Sequence, residues 1–135
     1  MKPNDDLCLE LYANADFCGL LAVEKADDPI NVRSRTGFTV TLAGFPVSWS
    51  SKLQTEIATS MMMAEFIALS TGMRELLPLI DTFNDICDSS KIPRSQESLV
   101  VRVFEDNEGA LKLASKEMPR RTPQSKHFAV KYHWF

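Results

Sequence analysis

The chain has 135 residues, of which 44% are hydrophobic and 24% are charged. This length suits one domain with its own core, and the composition excludes a disordered chain. No apolar run reaches the roughly 18 residues that a bilayer-spanning helix needs, and the polar residues 1–6 lack the apolar core of a signal peptide. We therefore expect a single intracellular domain over residues 1–135 and no contact with a membrane.

The formal net charge of −3 conceals an uneven distribution. Residues 1–110 carry nine basic and seventeen acidic groups, whereas residues 111–135 carry six basic groups and one acidic group. An acidic part can hold cations and a basic end can contact phosphate, although a basic end is often only a solvated surface. The charge distribution alone therefore neither requires nor excludes a nucleic-acid partner.

The first part of the chain has the alternation of apolar and polar side chains that is typical of strands. Residues 7–13 alternate in this way, and residues 36–44 and 46–52 are rich in Thr, Val, Phe and Trp. The short break between the last two segments suits a hairpin. The sequence therefore predicts three antiparallel strands, with Trp49 in or over the core rather than stacked on a base.

From Thr59 to Asp88 the apolar residues recur at three- and four-residue steps, which predicts a helix that covers the sheet. The three methionines at 61–63 indicate core packing, because no Cys or His is interleaved to make a soft-metal site. Gly72 and Pro78 fall inside the pattern, and a proline removes one backbone hydrogen bond. We expect a kink there or two helices.

The second part of the chain adds a strand and a helix. Residues 98–105 are predicted to form the strand, and the helix is predicted from Asn107 to Lys116. Residues 126–135 are amphipathic and would begin a further helix or strand. The element order predicts an α/β fold, in which a three-stranded meander is joined through a helix to a fourth strand beside the first and parallel to it.

Four polar residues lie at positions where an active site could form. They are Asn14 and Asp16 at the end of the first strand, Glu65 on the long helix, and Asp106 after the fourth strand. If strands one and four lie side by side, their carboxyl ends form a crevice at a topological switch point. Clustered carboxylates repel one another, and a hard divalent cation such as Mg²⁺ or Mn²⁺ relieves that repulsion. Two such ions can drive phosphodiester hydrolysis. Scattered acids are, however, usually surface charges.

Five segments of the chain, in order, resemble the ribonuclease H domain of copia-type LTR retrotransposon polyproteins. They read YANADFCG, TGFTVTLAGFPVSWSSKLQ, TSMMMAEFIALS, FEDNEGAL and KHFAVKYHWF, and the resemblance covers roughly residues 9–135. It implies a ribonuclease H-like fold and Mg²⁺- or Mn²⁺-dependent cleavage of RNA in RNA–DNA hybrids. It also implies fusion to the reverse transcriptase part of a polyprotein, and a location in cytoplasmic retroelement particles or the nucleus.

The resemblance also assigns roles to the four polar residues. Glu65 and Asp106 match the helix glutamate and the strand-four aspartate of the family. Asn14 stands where the family has the first aspartate of a D-A-D motif, and Asp16 matches the second. The implied catalytic set is thus Glu65, Asp106, Asn14 and Asp16, with Asp16, Glu65 and Asp106 as metal ligands. Because an amide brings no negative charge, metal affinity and activity should both be reduced.

The family's last strand and helix, which carry a fourth acid, have no counterpart here, so the resemblance implies a C-terminally truncated domain with impaired activity. Two alternatives stay open, a nucleic-acid-binding module without cleavage and a non-binding scaffold. Lys and Arg contacts to phosphate give affinity without sequence information. The predicted hybrid-contacting residues are Arg33, Arg35, Lys52, Asn107, Lys126, His127 and Lys131.

Overall fold

A computed structural model describes residues 8–20, 30–90 and 99–115. They form β1 (Cys8–Asp16), β2 (Arg35–Leu42), β3 (Phe45–Leu53), α1 (Met61–Ser89), β4 (Val100–Phe104) and α2 (Glu108–Ala114). The predicted order of strands and helices is confirmed over these elements. Neither helix has the length and hydrophobicity that a membrane span requires. The amphipathic segment 126–135 lies outside the described residues.

The four strands form one sheet in the order β3-β2-β1-β4. β2 pairs antiparallel with both β1 and β3, and the β2–β3 turn places Ala43 and Gly44 at φ values of 49° and 80°. Two consecutive residues with positive φ angles match the right-handed twist of the strands in a tight hairpin. β4 pairs with β1 in parallel, as predicted, with Tyr12 opposite Phe104. This mixed α/β topology, with helices packed on the sheet, is ribonuclease H-like.

The core lies between α1 and one face of the sheet. Leu11, Val40, Phe66 and Leu76 each have an exposed fraction of 0%, and burial of such a side chain contributes roughly 1.5–3 kcal/mol. Gly72 allows the helix to approach β1 closely, since a Cβ built there would lie 2.8 Å from Leu11 Cδ1. This close packing fixes α1 over β1, and with it the residues at the start of the helix.

α1 differs from the prediction in two respects. It is a single helix that includes Pro78, so the alternative of two helices is wrong. Pro78 is exposed, so the backbone hydrogen bond that a proline removes is lost on the solvent side of the helix and not in the core. Of the three methionines only Met63 is buried, whereas Met61 and Met62 are exposed on the first turn. Core packing therefore holds for one methionine of the three.

The sheet face opposite α1, here called the open face, is not covered by any element of the described ranges. Its exposed aromatic residues are Tyr12, Trp49 and Phe104, and the rings of Tyr12 and Phe104 stack with centroids 4.7 Å apart. Trp49 is 71% exposed, so its predicted place in or over the core is wrong. Thr39 pairs with both Tyr12 and Trp49, so strand alternation places Trp49 on the same face as Tyr12.

Candidate metal centre

Three carboxylates converge at the carboxyl ends of β1 and β4. Glu65 reaches this edge from the second turn of α1, and Glu105 and Asp106 follow directly after β4. One oxygen from each of the three carboxylates lies within 4.8 Å of the others. The topology explains the convergence, because parallel neighbours end at the same edge of a sheet and the helix that connects to β4 packs over β1.

Glu65 is the buried member of this group, with an exposed fraction of 5%. Burial raises its pKa, the backbone N–H of Ala15 lowers it by donating to the carboxylate, and the charge of Asp106 raises it further. The Oε2 atom of Glu65 has no hydrogen-bond partner among the described residues. One oxygen of a buried carboxylate is therefore unsatisfied by the described residues, which is costly unless a ligand or a proton satisfies it.

Gln54 ties the start of α1 to the sheet beside Glu65. Its Nε2 atom donates to the Ala64 carbonyl at 2.9 Å and to Thr36 Oγ1 at 3.0 Å, and the side chain is buried. A buried amide that donates in this way specifies geometry, because breaking its bonds leaves buried acceptors without a donor. The sequence did not predict a role for Gln54, although Gln54 is the last residue of the motif TGFTVTLAGFPVSWSSKLQ.

Glu105 was not predicted as a site residue. Its pKa is raised to about 7, and burial is the largest cause. The backbone N–H of Asn107 donates to Oε1 at 3.0 Å and acts in the opposite direction, since it lowers the pKa. The neighbouring carboxylates of Glu65 and Asp106 raise the pKa further. The alternation of side chains along β4 was the sequence signal that could have identified Glu105 as a site residue. Phe104 lies on the open face, so the next residue turns toward α1.

Asn14 and Asp16 are the predicted site residues at the end of β1. Both are exposed, and they share the open face with Tyr12 because residues two apart on a strand project to one face. The Asp16 carboxylate lies against Gly19, where a Cβ would collide with it. Asp16 is not a member of the three-carboxylate group. The ligand and catalytic roles assigned to Asn14 and Asp16 stay predictions.

A groove of about 930 Å³ crosses the open face and ends at the carboxylates. Asn14, Glu105 and Asp106 line one part of it, and the rings of Tyr12 and Trp49 line another. Asp106 is exposed while Glu65 is buried. The groove therefore gives solvent and ligands access to the carboxylate group from the side of Asp106.

The predicted hybrid-contacting residues fall into three groups. Arg35 and Lys52 are exposed and lie at the same end of the sheet as the carboxylates, since Arg35 pairs with Asp16. Arg33 is half-buried, and Asn107 caps α2 by accepting a hydrogen bond from the Ala110 N–H at 3.0 Å. The remaining predicted contacts lie outside the described residues: Lys126, His127 and Lys131.

Comparison with curated proteins identifies relatives that align over almost the whole chain. It is 31% identical over 129 residues, 96% of its length, to the retrovirus-related Pol polyprotein from transposon TNT 1-94 of Nicotiana tabacum. It is also 28% and 27% identical over 134 residues, 99% of its length, to the retrovirus-related Pol polyproteins from transposons RE2 and RE1 of Arabidopsis thaliana. The chain is related to a segment of retrotransposon Pol polyproteins.

This Pol-related segment spans about 8% of the length of those relatives. Their names support the resemblance to copia-type polyproteins, but they do not name a ribonuclease H activity. No protein-family model and no solved structure matches the chain. The fold therefore rests on the observed topology, and the activity has to be argued from the site.

The donor set of the Pol-related segment fits a hard divalent cation. All three side chains offer carboxylate oxygens, and neither Cys nor His belongs to the group. Such donors suit Mg²⁺ and Mn²⁺, which retain several waters and accept phosphate oxygens as further ligands. Glu65 Oε2 and Glu105 Oε2 are both buried without a hydrogen-bond partner in the described part of the chain.

Proposed function

We propose that this Pol-related segment is a ribonuclease H-like domain that binds RNA–DNA hybrids and hydrolyses the RNA strand with Mg²⁺ or Mn²⁺. The observation that carries the proposal is the convergence of Glu65 and Asp106, which are 41 positions apart in the chain, at one edge of the sheet. These are also the two acids that the family motifs assign to catalysis. The domain would act as one part of a Pol polyprotein.

The side chains have distinct tasks in this proposal. Glu65 and Asp106 would hold the cation, and a bound cation supplies an activated water and stabilises the leaving oxygen of the phosphodiester. Burial of Glu65 keeps its carboxylate in one orientation, and Gln54 fixes the helix that carries it. Asp106 is exposed, so the scissile phosphate can approach from the groove.

Hybrid binding would use the basic residues at the same end of the sheet. Arg35 and Lys52 are exposed there, on the first and second strands of the β2–β3 hairpin. Contacts to phosphate give affinity without reading sequence, and distinguishing RNA from DNA needs contact with 2′-hydroxyls. The exposed Asn14 and Ser51 line the adjoining groove and offer polar groups for that contact.

Cleavage of a labelled RNA–DNA hybrid by the chain in Mg²⁺ or Mn²⁺ tests the proposal. Glu65→Gln and Asp106→Asn should each abolish cleavage, because each removes a charged ligand and nearly preserves side-chain shape. Glu75→Gln is the matched control, since Glu75 is exposed on the same helix. Cleavage that survives in Glu65→Gln would contradict the proposal.

A second candidate function is hybrid binding without cleavage, and the observation that favours it is Asn14 at the position of the family's first aspartate. Under the leading proposal, Asn14→Asp should raise both cation affinity and cleavage, because it adds charge at the groove. If the parent binds hybrid in a salt-sensitive way and Asn14→Asp still does not cleave, the binding module is the better description. If neither binds hybrid, the scaffold alternative remains.

A further inference from the structure

We propose that Glu105 is a third cation ligand, which together with Glu65 and Asp106 replaces the charge that Asn14 lacks. Glu105 lies outside the motif residues that the family resemblance assigns to catalysis. The inference rests on the cation site of the proposed function but does not require hybrid cleavage. It predicts a site of three carboxylates in which two come from consecutive residues after β4.

Backbone geometry brings Glu105 to the site. Phe104 pairs with Tyr12 and stacks on its ring over the open face. Because consecutive strand residues alternate faces, Glu105 turns to the side of α1, where it is half-buried beside Glu65. Asp106 follows as the strand ends and remains exposed. Glu105 therefore approaches the carboxylate group from the protein interior, and Asp106 approaches it from the solvent side.

The hydrogen-bond pattern leaves one carboxylate oxygen of Glu65 and one of Glu105 without a donor among the described residues. Glu65 accepts from the Ala15 N–H and Glu105 Oε1 accepts from the Asn107 N–H, so each has one backbone donor. The second oxygens, Glu65 Oε2 and Glu105 Oε2, are buried and have no partner within the described ranges. The Glu65 side chain is almost fully enclosed, and its ligand oxygen lies within 4.8 Å of those of the other two acids.

Among the described residues, no ion pair joins a basic side chain to Glu65, Glu105 or Asp106. Arg102 pairs with Glu10 and Lys112 pairs with Glu108, and neither ion pair involves the three carboxylates. Three anionic groups at this separation repel one another, and leaving buried charge without a partner is costly. A divalent cation with oxygen ligands removes the repulsion and satisfies both buried oxygens at once.

Titration of the full 135-residue chain with Mn²⁺, followed by the electron paramagnetic resonance of free Mn²⁺, tests the assignment. Glu105→Gln should weaken Mn²⁺ binding at least about tenfold, as should Glu65→Gln and Asp106→Asn. Glu108→Gln is the matched control, because it makes the same charge change three positions away on an exposed side chain. It should bind Mn²⁺ within about twofold of the parent, as expected for a residue that is not a ligand.

The outcomes separate this inference from the proposed function. Parent-like Mn²⁺ binding by Glu105→Gln, with no binding by Glu65→Gln, overturns the role of Glu105 and leaves the proposed function standing. Binding that depends on all three acids without hybrid cleavage supports the inference and removes the proposed activity. Absence of Mn²⁺ binding by the parent overturns both. Urea unfolding in EDTA provides the folding control, since Glu105→Gln should unfold at no lower urea concentration than the parent.

Discussion

At Glu105 the local environment sets the protonation state more strongly than the residue type does. Burial raises the pKa from 4.5 to about 7, although the Asn107 N–H stabilises the charged form. Glu65 is raised in the same direction, again with burial as the largest cause. Without a cation, burial thus shifts both carboxyl groups toward the neutral form, at a position where a metal site needs charged ones.

This shift predicts how the stability of the metal-free chain depends on pH. Glu105 in the unfolded chain ionises near pH 4.5, whereas in the folded chain it keeps its proton up to about pH 7. The folded state binds more protons across this window, so the free energy of unfolding should fall as pH rises through it. The contribution of Glu105 is up to about 3 kcal/mol and is constant above the window.

Urea unfolding in EDTA at about pH 5 and about pH 8 measures the effect. Glu105→Gln should remove a large part of the difference between the two conditions, because its side chain does not titrate. Glu108→Gln, whose side chain is 81% exposed, should retain the parent's dependence. A Glu105→Gln variant with the full pH dependence of the parent would show that other groups cause it.

At the scale of elements, each strand presents different chemistry on its two faces. The α1 side of the sheet carries buried apolar residues such as Leu11 and Phe38. The open face carries Tyr12, Trp49 and Phe104, all of them exposed. One period-two pattern therefore separates the core face of the sheet from its open face.

Two aromatic substitutions distinguish the faces. Phe38→Ala should cost about 3–5 kcal/mol in the free energy of unfolding, because it empties a buried site. Trp49→Ala should cost less than about 1 kcal/mol, because its side chain is largely in solvent. Urea unfolding of both variants at one pH makes the comparison. Equal costs for the two variants would contradict the assignment of Trp49 to an exposed face of the sheet.

For the whole molecule, the distribution of charge bears on nucleic-acid binding more than the net charge does. The chain is acidic overall, yet the exposed Arg35 and Lys52 lie at the same end of the sheet as the three carboxylates. A cation between the carboxylates would reduce the negative charge that a phosphate backbone meets there. Hybrid binding should therefore be stronger with Mg²⁺ than with EDTA.

The salt dependence of hybrid binding tests the contribution of the basic residues. Replacing Arg35 or Lys52 by Ala should weaken binding and flatten the slope of log affinity against log salt by about 0.9 for each phosphate that is no longer neutralised. Lys112→Ala is the control, because Lys112 pairs with Glu108 on α2. Fluorescence anisotropy of a labelled hybrid across a salt series gives the slopes. Equal slopes for all variants would argue against a phosphate-binding role for either residue.

Much of the fold could be predicted because it depends on local patterns. The two hydrophobic periods located the strands and α1, and a right-handed connection required β4 beside β1. Pro78 was harder to place, since its effect depends on whether the missing hydrogen bond falls in the core or in solvent. Trp49 was misplaced for a related reason. Alternation within a strand does not say which of its faces a helix will cover.

The sequence by itself determined the order of the elements, the parallel β1–β4 pair and the two acids, Glu65 and Asp106, that the family motifs share. Only the tertiary structure decided that Glu105 lies with them in one group of carboxylates and that Asp16 is not in that group, because the distances between side chains of distant segments depend on how those segments pack. It also decided the pKa of Glu105, since burial and neighbouring charge arise only when distant segments pack together. Residue type sets what a carboxylate can do, whereas packing sets whether it meets a partner.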